Sequence, residues 1–301
     1  MTLPRPLTGT FTALYTPFLA DGRLDLDAWR GLCDRLARAG SGLVPCGTTG
    51  ETPTLTDDEY VTLVRHAVEV AAGRVPVIAG AGSSSTEKTV ATARVAAELG
   101  VDAVLVVTPP YNKPPQRSLL AHFRAVADAG VPVVLYNVPG RTGTNMLPET
   151  TLALAADPRF IAVKEAAGSV PQMEQLVFGA PAGFSILSGD DALTFPLIAL
   201  GGHGLVSVAA NVAPRPVVAL VDALLAQDLV RARALQRALA PLFSALFATA
   251  NPIPVKHAAS LLGHCAPTVR LPLTADAVDE ALSKKLAHAL ELAGHAAETL
   301  A

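Results

Sequence analysis

Short apolar runs alternate with amphipathic stretches along most of the chain, at intervals of roughly 20 to 35 residues, the spacing of parallel strands that are each followed by a helix. Eight runs read as strands: Gly9–Phe18, Gly42–Cys46, Val75–Ala79, Ala103–Val107, Val133–Tyr136, Ile161–Lys164, Ser185–Leu187 and Leu205–Val208. Most are continuously apolar, as strands covered on both faces are. Helical periodicity and capping signals predict helices over Asp25–Ala39, Thr56–Ala72, Thr86–Leu99 and Gln116–Ala129, followed by Gly40, Gly73, Gly100 and Gly130 as left-handed C-terminal caps. An eighth barrel helix is expected over Pro214–Ala226. Beyond it the segments Leu229–Ala248, Pro254–Leu262 and Thr274–Leu300 are helical only.

Eight such units make an α/β fold of the (β/α)8 TIM-barrel type, expected over residues 1–226, with a C-terminal helical extension over 227–301. An open doubly wound sheet shares much of this pattern. The count of eight, and the lack of a complete G-x-G-x-x-G after the first strand, favour the closed barrel. Gly80-Ala-Gly-Ser-Ser-Ser85 is only a partial dinucleotide fingerprint.

Composition narrows the partners. The chain has 301 residues, half of them hydrophobic, which suits one large core. Its apolar stretches are broken by Gly, Pro, Asp or His before reaching the roughly 18 continuous residues of a membrane span. Met1-Thr-Leu-Pro-Arg-Pro-Leu-Thr8 lacks the basic start and apolar core of a signal peptide, so a cytoplasmic location is expected. Cys33, Cys46 and Cys265 are far apart and in no C-x-x-C pair, so they read as reduced structural thiols. The net charge is −3 with dispersed basic residues, which argues against nucleic acid and leaves a small molecule as the expected partner.

In such a barrel the chemistry lies at the C-terminal strand ends, where the unusual residues of this chain cluster. Lys164 ends the run Phe160-Ile-Ala-Val163, so an inward register puts an amine inside a hydrophobic mouth, where a lone pair can attack a carbonyl. A surface lysine paired with Glu165 is the bland alternative. Tyr136 and Tyr111 end strands where a phenol could shuttle protons, although aromatic packing would also place them there. Thr48 and Thr49, in the turn Gly47-Thr-Thr-Gly-Glu51, can offer hydroxyl and backbone N–H donors to a carboxylate; helix capping is the alternative, for which Thr52 or Thr56 would also serve. Arg141, just after Pro139-Gly140, could hold a second anion with its guanidinium fork, or stand solvated in a loop. Asp190 and Asp191 read as helix N-caps, and the scattered histidines suggest no metal site.

The set Gly47-Thr-Thr-Gly-Glu51, Tyr136-Asn-Val-Pro139, Lys164-Glu165, Ser188-Gly-Asp-Asp191 and Asn251-Pro-Ile-Pro-Val-Lys256 resembles the dihydrodipicolinate synthase and N-acetylneuraminate lyase family of Schiff-base-forming pyruvate lyases, in register from about Gly9 to Lys256. Arg141-Thr-Gly143 and Tyr111-Asn-Lys-Pro114 look like its synthase branch. The resemblance implies that Lys164 forms an imine with pyruvate and that Tyr136 moves protons beside it. It further implies a relay completed by Thr48 and by Tyr111 from a neighbouring subunit. Thr49, Gly189 and the backbone near Val206 would hold pyruvate and line its pocket, while Arg141 would grip aspartate 4-semialdehyde. No cofactor or metal is implied, and the expected assembly is a homotetramer built as a dimer of dimers. Where lysine-inhibited members tend to carry His, Asn, Glu and a further Tyr, this chain has Asp57, Ser84, Lys88 and Pro110, so weak or absent inhibition by lysine is expected. The alternatives are a sister aldolase or dehydratase acting on a keto-deoxy sugar acid, and a non-catalytic barrel that binds a keto acid.

Overall fold

The computed structural model describes residues 6–300; the part of the N-terminal reading that rests on residues 1–5 lies outside the described residues. Its strands are β1 Gly9–Ala13, β2 Gly42–Val44, β3 Ile78–Gly80, β4 Ala103–Val107, β5 Val133–Asn137, β6 Phe160–Glu165, β7 Ser185–Ser188 and β8 Gly204–Ser207. All pairings are parallel, in the order β2-β1-β8-β7-β6-β5-β4-β3. The two edges meet through a Leu43–Val77 bridge, with Leu43 N–H donating to Pro76 O (2.8 Å) and Gly80 N–H to Pro45 O (2.9 Å). The sheet is thereby an eight-stranded barrel.

Side chains alternate along each strand, so the continuous apolar runs divide into two layers. Val134 and Tyr136 of β5, Ala162 of β6, Leu187 of β7 and Val206 of β8 pack in the barrel interior with Phe11 and Leu105. Val133, Leu135, Val163, Ile186 and Leu205 face the surrounding helices. This alternation decides where β6 sends its lysine: two residues after Ala162, Lys164 points inward.

The helices are α1 Leu26–Arg38, α2 Asp57–Ala71, α3 Thr86–Glu98, α4 Gln116–Ala127, α5 Pro139–Thr142, α6 Pro148–Ala155, α7 Val170–Gly179, α8 Thr194–Ala199, α9 Pro214–Leu225, α10 Leu229–Ala245, α11 Ile253–Leu261 and α12 Glu280–Thr299. Gly40, Gly73, Gly100 and Gly130 all take positive φ, between 73° and 83°, as the left-handed stops after α1 to α4 require. Thr56 caps α2 in a reciprocal capping box with Glu59.

Most boundaries shift by one to three residues from the sequence reading, and the differences at β1, β3 and α12 have identifiable causes. β1 ends at Ala13, because Thr16 turns its hydroxyl to Gly50 O (2.7 Å) and Pro17 lies just ahead; Phe18 only bridges Leu24. β3 starts at Ile78, because Pro76 has no N–H to give to a ladder and Val77 makes only an isolated bridge with Leu43. α12 starts at Glu280, where the Asp279 carboxylate accepts from Leu282 N–H, after a short 3-10 turn at Ala275–Ala277.

Candidate active site

Lys164 is buried to 5% exposure at the C-terminal end of β6, in register with Tyr136 on β5, and its Nζ lies 4.3 Å from the centre of the Tyr136 ring. An ammonium over a ring face is held by the ring quadrupole. The alternative pairing with Glu165 does not occur. Glu165 projects from the opposite face of β6, where it accepts from Asn137 Nδ2 (3.1 Å), Ala167 N–H (2.6 Å) and Gln172 Nε2 (3.1 Å). Burial pushes its carboxyl above the usual range, and those three donors oppose the rise. Behind the lysine, this network ties the ends of β5 and β6 together. Next to it, a Cβ at Gly189 would stand 3.0 Å from both Cγ and Cε of Lys164, so this glycine gives the lysine stem its space.

Both aspartates after β7 are structural. Asp190 accepts from Ala192 N–H (2.9 Å) as a cap. Asp191 is buried and accepts from Ser207 Oγ and from Val208 and Ala209 N–H (3.0 and 3.3 Å), which binds the end of β7 to the end of β8. Among the described residues no group of three or more His, Cys, Asp or Glu could hold a metal ion.

The turn after β2 is fixed at every residue. Thr52 Oγ1 donates to the carbonyls of Cys46 and Gly47, and Gly50 O receives Thr16. Glu51 stands in the left-handed region at φ 55°, which costs a non-glycine residue about 1–3 kcal/mol and persists only where the surroundings hold it. They do: Lys256 Nζ lies 2.7 Å from Glu51 Oε1, with both side chains almost fully buried, and Arg270 N–H donates to Oε2 at 2.9 Å. Thr49 is buried and receives Asn251 Nδ2 at 2.9 Å, which leaves its hydroxyl proton free to donate. Arg141 sits on α5 after β5, and its Nη2 reaches Asn251 O at 3.4 Å.

A cavity of about 780 Å³ opens at these strand ends. Its wall runs from Thr48, Tyr136 and Arg141 to Asp57, Ser84 and Lys88 at the starts of α2 and α3. Lys164 does not line it directly; Tyr136, whose ring centre is 4.3 Å from the Lys164 amine, does. The structure thus brings Lys164, Tyr136 and Gly189 together, sets Thr48 and Arg141 on the same cavity, and puts Val206 in the interior layer of the barrel. Tyr111 stays apart. Its ring is 93% exposed, on a residue at φ 74° in the loop after β4.

Sequence reasoning assigned no role to Asn251, Lys256 or Arg270. The first two lie within a quoted motif, but their partners are about two hundred residues away, and no local spacing announces them.

A parallel eight-stranded barrel with helices between its strands and a buried lysine beside a tyrosine at the strand ends defines the class of protein: a (β/α)8 barrel with its polar groups gathered at the C-terminal mouth. The model of the dihydrodipicolinate synthetase family matches residues 6–292. The chain belongs to that family. A 4-hydroxy-tetrahydrodipicolinate synthase of Thermomicrobium roseum is 50% identical, covering 98% of this chain and 97% of the relative. Dihydrodipicolinate synthase from Thermotoga maritima superposes with a TM-score of 0.93 at 41% identity, covering 96% of this chain and 99% of that one. A structure described as the first monomeric dihydrodipicolinate synthase variant also superposes at 0.93, with 40% identity and coverage of 96% and 97%.

Proposed function

We propose that this protein is a 4-hydroxy-tetrahydrodipicolinate synthase that joins pyruvate to aspartate 4-semialdehyde through a Schiff base on Lys164. The observation that carries the reading is the Lys164 amine, buried in the barrel mouth 4.3 Å from the Tyr136 ring. The amine attacks C2 of pyruvate, the carbinolamine loses water, and the protonated imine draws electrons from C3. Loss of a C3 proton gives an enamine, which attacks the aldehyde carbon of the second substrate. The amino group of that substrate then displaces Lys164 from C2, closing the ring and restoring the free amine.

The remaining residues divide the work by chemistry. Tyr136 gives and takes the protons of carbinolamine and imine, with Thr48 and a partner's Tyr111 continuing the relay. Thr49, Gly189 and the backbone near Val206 hold and enclose the pyruvate end, and Arg141 takes the carboxylate of the semialdehyde. The barrel over 1–226 supplies these groups and the extension over 227–301 buttresses them. No cofactor enters the reaction, because the imine itself is the electron sink. The exposure of Tyr111 supports a homo-oligomer, a tetramer made of two dimers, in which each chain lends this ring to its neighbour. No described helix is long and apolar enough to cross a membrane, and the reading is of a cytoplasmic enzyme of lysine and diaminopimelate synthesis.

The test is a coupled assay with pyruvate and aspartate 4-semialdehyde on wild type and Arg141→Ala. Turnover is expected for wild type, and Arg141→Ala should raise KM for the semialdehyde at least about tenfold while leaving KM for pyruvate near its wild-type value. Turnover of a keto-deoxy sugar acid alone, with none of the semialdehyde, would refute the reading.

A further inference from the structure

We infer that Lys256, in the helical extension and remote from the reacting atoms, is a positioning residue that sets the pyruvate-binding turn through Glu51. The inference rests on the proposed function, and on contacts that lie outside the barrel chemistry. The segment from Asn251 to Arg270 grips the turn Gly47–Glu51 at two points. Asn251 Nδ2 holds Thr49 Oγ1 at 2.9 Å, and Lys256 Nζ holds Glu51 Oε1 at 2.7 Å. Arg270 N–H takes the other Glu51 oxygen at 2.9 Å.

The grip is built into a buried cluster. Lys256 Nζ and Arg270 Cζ each lie 4.2 Å from the centre of the Phe18 ring, and Arg270 also donates to Gly22 O, to Thr54 O and to Glu59. Phe18, Gly22 and Thr54 belong to the loops on either side of the turn. One ion pair therefore joins the β1 loop, the β2 turn and α11. Burial pushes the Lys256 ammonium below its usual range, and the Glu51 carboxylate opposes that shift.

A pair that served stability alone could sit anywhere in the core. This one closes on the carboxylate of a residue held at φ 55°, two positions from the Thr49 hydroxyl. Release of Glu51 lets the turn relax toward ordinary backbone angles and carries the Thr49 donor away from the pyruvate carboxylate. Because that contact is present before and during the reaction, its loss raises the pyruvate requirement more than it slows the saturated enzyme.

Removing one partner alone strands a buried charge, so the informative variant is the double substitution Glu51→Gln/Lys256→Met, which removes both charges at similar shape. The glutamine amide oxygen can still accept from Arg270 N–H, so only the grip from α11 is lost. Lys256→Met alone, in which the Arg270 N–H still meets the Glu51 carboxylate, is the second variant. The readouts are melting temperature, pyruvate KM and kcat in the coupled assay, and the pyruvate concentration that half-saturates borohydride trapping. For the folded double variant, half-saturation is expected to rise at least about tenfold, more than kcat falls, with a rise in the same direction for Lys256→Met. Wild-type half-saturation in either folded variant would overturn the inference while leaving the Schiff-base reading intact. Failure of wild type to trap pyruvate would instead overturn that reading, and this inference with it.

Discussion

Gly189 shows how tightly the lysine is fitted: an added methyl group would come within 2.7 Å of Ala166 Cβ and 3.0 Å of Lys164 Cγ and Cε. Ala166 is held by the backbone that follows β6, so the lysine stem is the neighbour that must shift. Gly189→Ala should therefore leave the protein folded and slow imine formation by about 10²-fold, as expected when a reacting group is displaced by the order of an ångström. Pre-steady-state trapping with pyruvate would check this, and a wild-type trapping rate would show that Lys164 does not need this space. The lysine itself was legible in the sequence because a charged residue closing a buried apolar run is conspicuous. Asn251 and Lys256 were legible only as a motif, since their work is defined by Thr49 and Glu51 at separations of 202 and 205 residues. Glu165 was half legible: its position beside the lysine was plain, while its true partners come from β5 and α7.

Element by element, strands declared themselves because burial on both faces leaves a continuous apolar run, and the helices α1 to α4 because their glycine stops repeat. The short elements at the rim were harder to read; α5 has four residues and shows no periodicity. Between α3 and α4, His122 is buried against Thr86, with Nδ1 2.9 Å from Oγ1. Burial pushes its imidazole down to about 4. The unfolded chain takes up this proton below about pH 6.5 while the native state stays neutral, so stability is lost as pH falls from about 6.5 to about 4. Replacing the histidine by glutamine should flatten that loss by on the order of 2 kcal/mol, measured as the difference in urea unfolding between pH 7 and pH 4; an unchanged pH dependence would contradict it. On the neighbouring wall of the cavity, Asp57, Ser84, Lys88 and Pro110 line the space together. None of the His, Asn, Glu and Tyr that lysine-inhibited members tend to carry stands at these positions, so free lysine at sub-millimolar concentration should leave the coupled assay unchanged. Substantial inhibition there would contradict the expectation.

At the scale of the whole molecule, a single chain leaves Tyr111 in solvent, far from use. The sequence alone could suggest a borrowed tyrosine only through its family resemblance, because exposure and oligomeric partners carry no local pattern. If each site takes Tyr111 from its neighbour, Lys164→Ala and Tyr111→Phe chains are each nearly inactive alone yet complement when mixed and exchanged. Mixed dimers then contain one intact site in two, giving about one quarter of wild-type activity per site at random assortment. No recovery on mixing would show that the relay is completed within one chain.

The proposed chemistry turns on the amine of Lys164, so the most direct measurement is intact and peptide mass spectrometry after borohydride reduction in the presence of pyruvate, on wild type and on Lys164→Ala. The expected result is one reduced pyruvyl adduct per wild-type chain, mapped to the peptide that carries Lys164, and none on the alanine variant. A wild type without adduct, or an alanine variant that still carries one, would contradict the assignment.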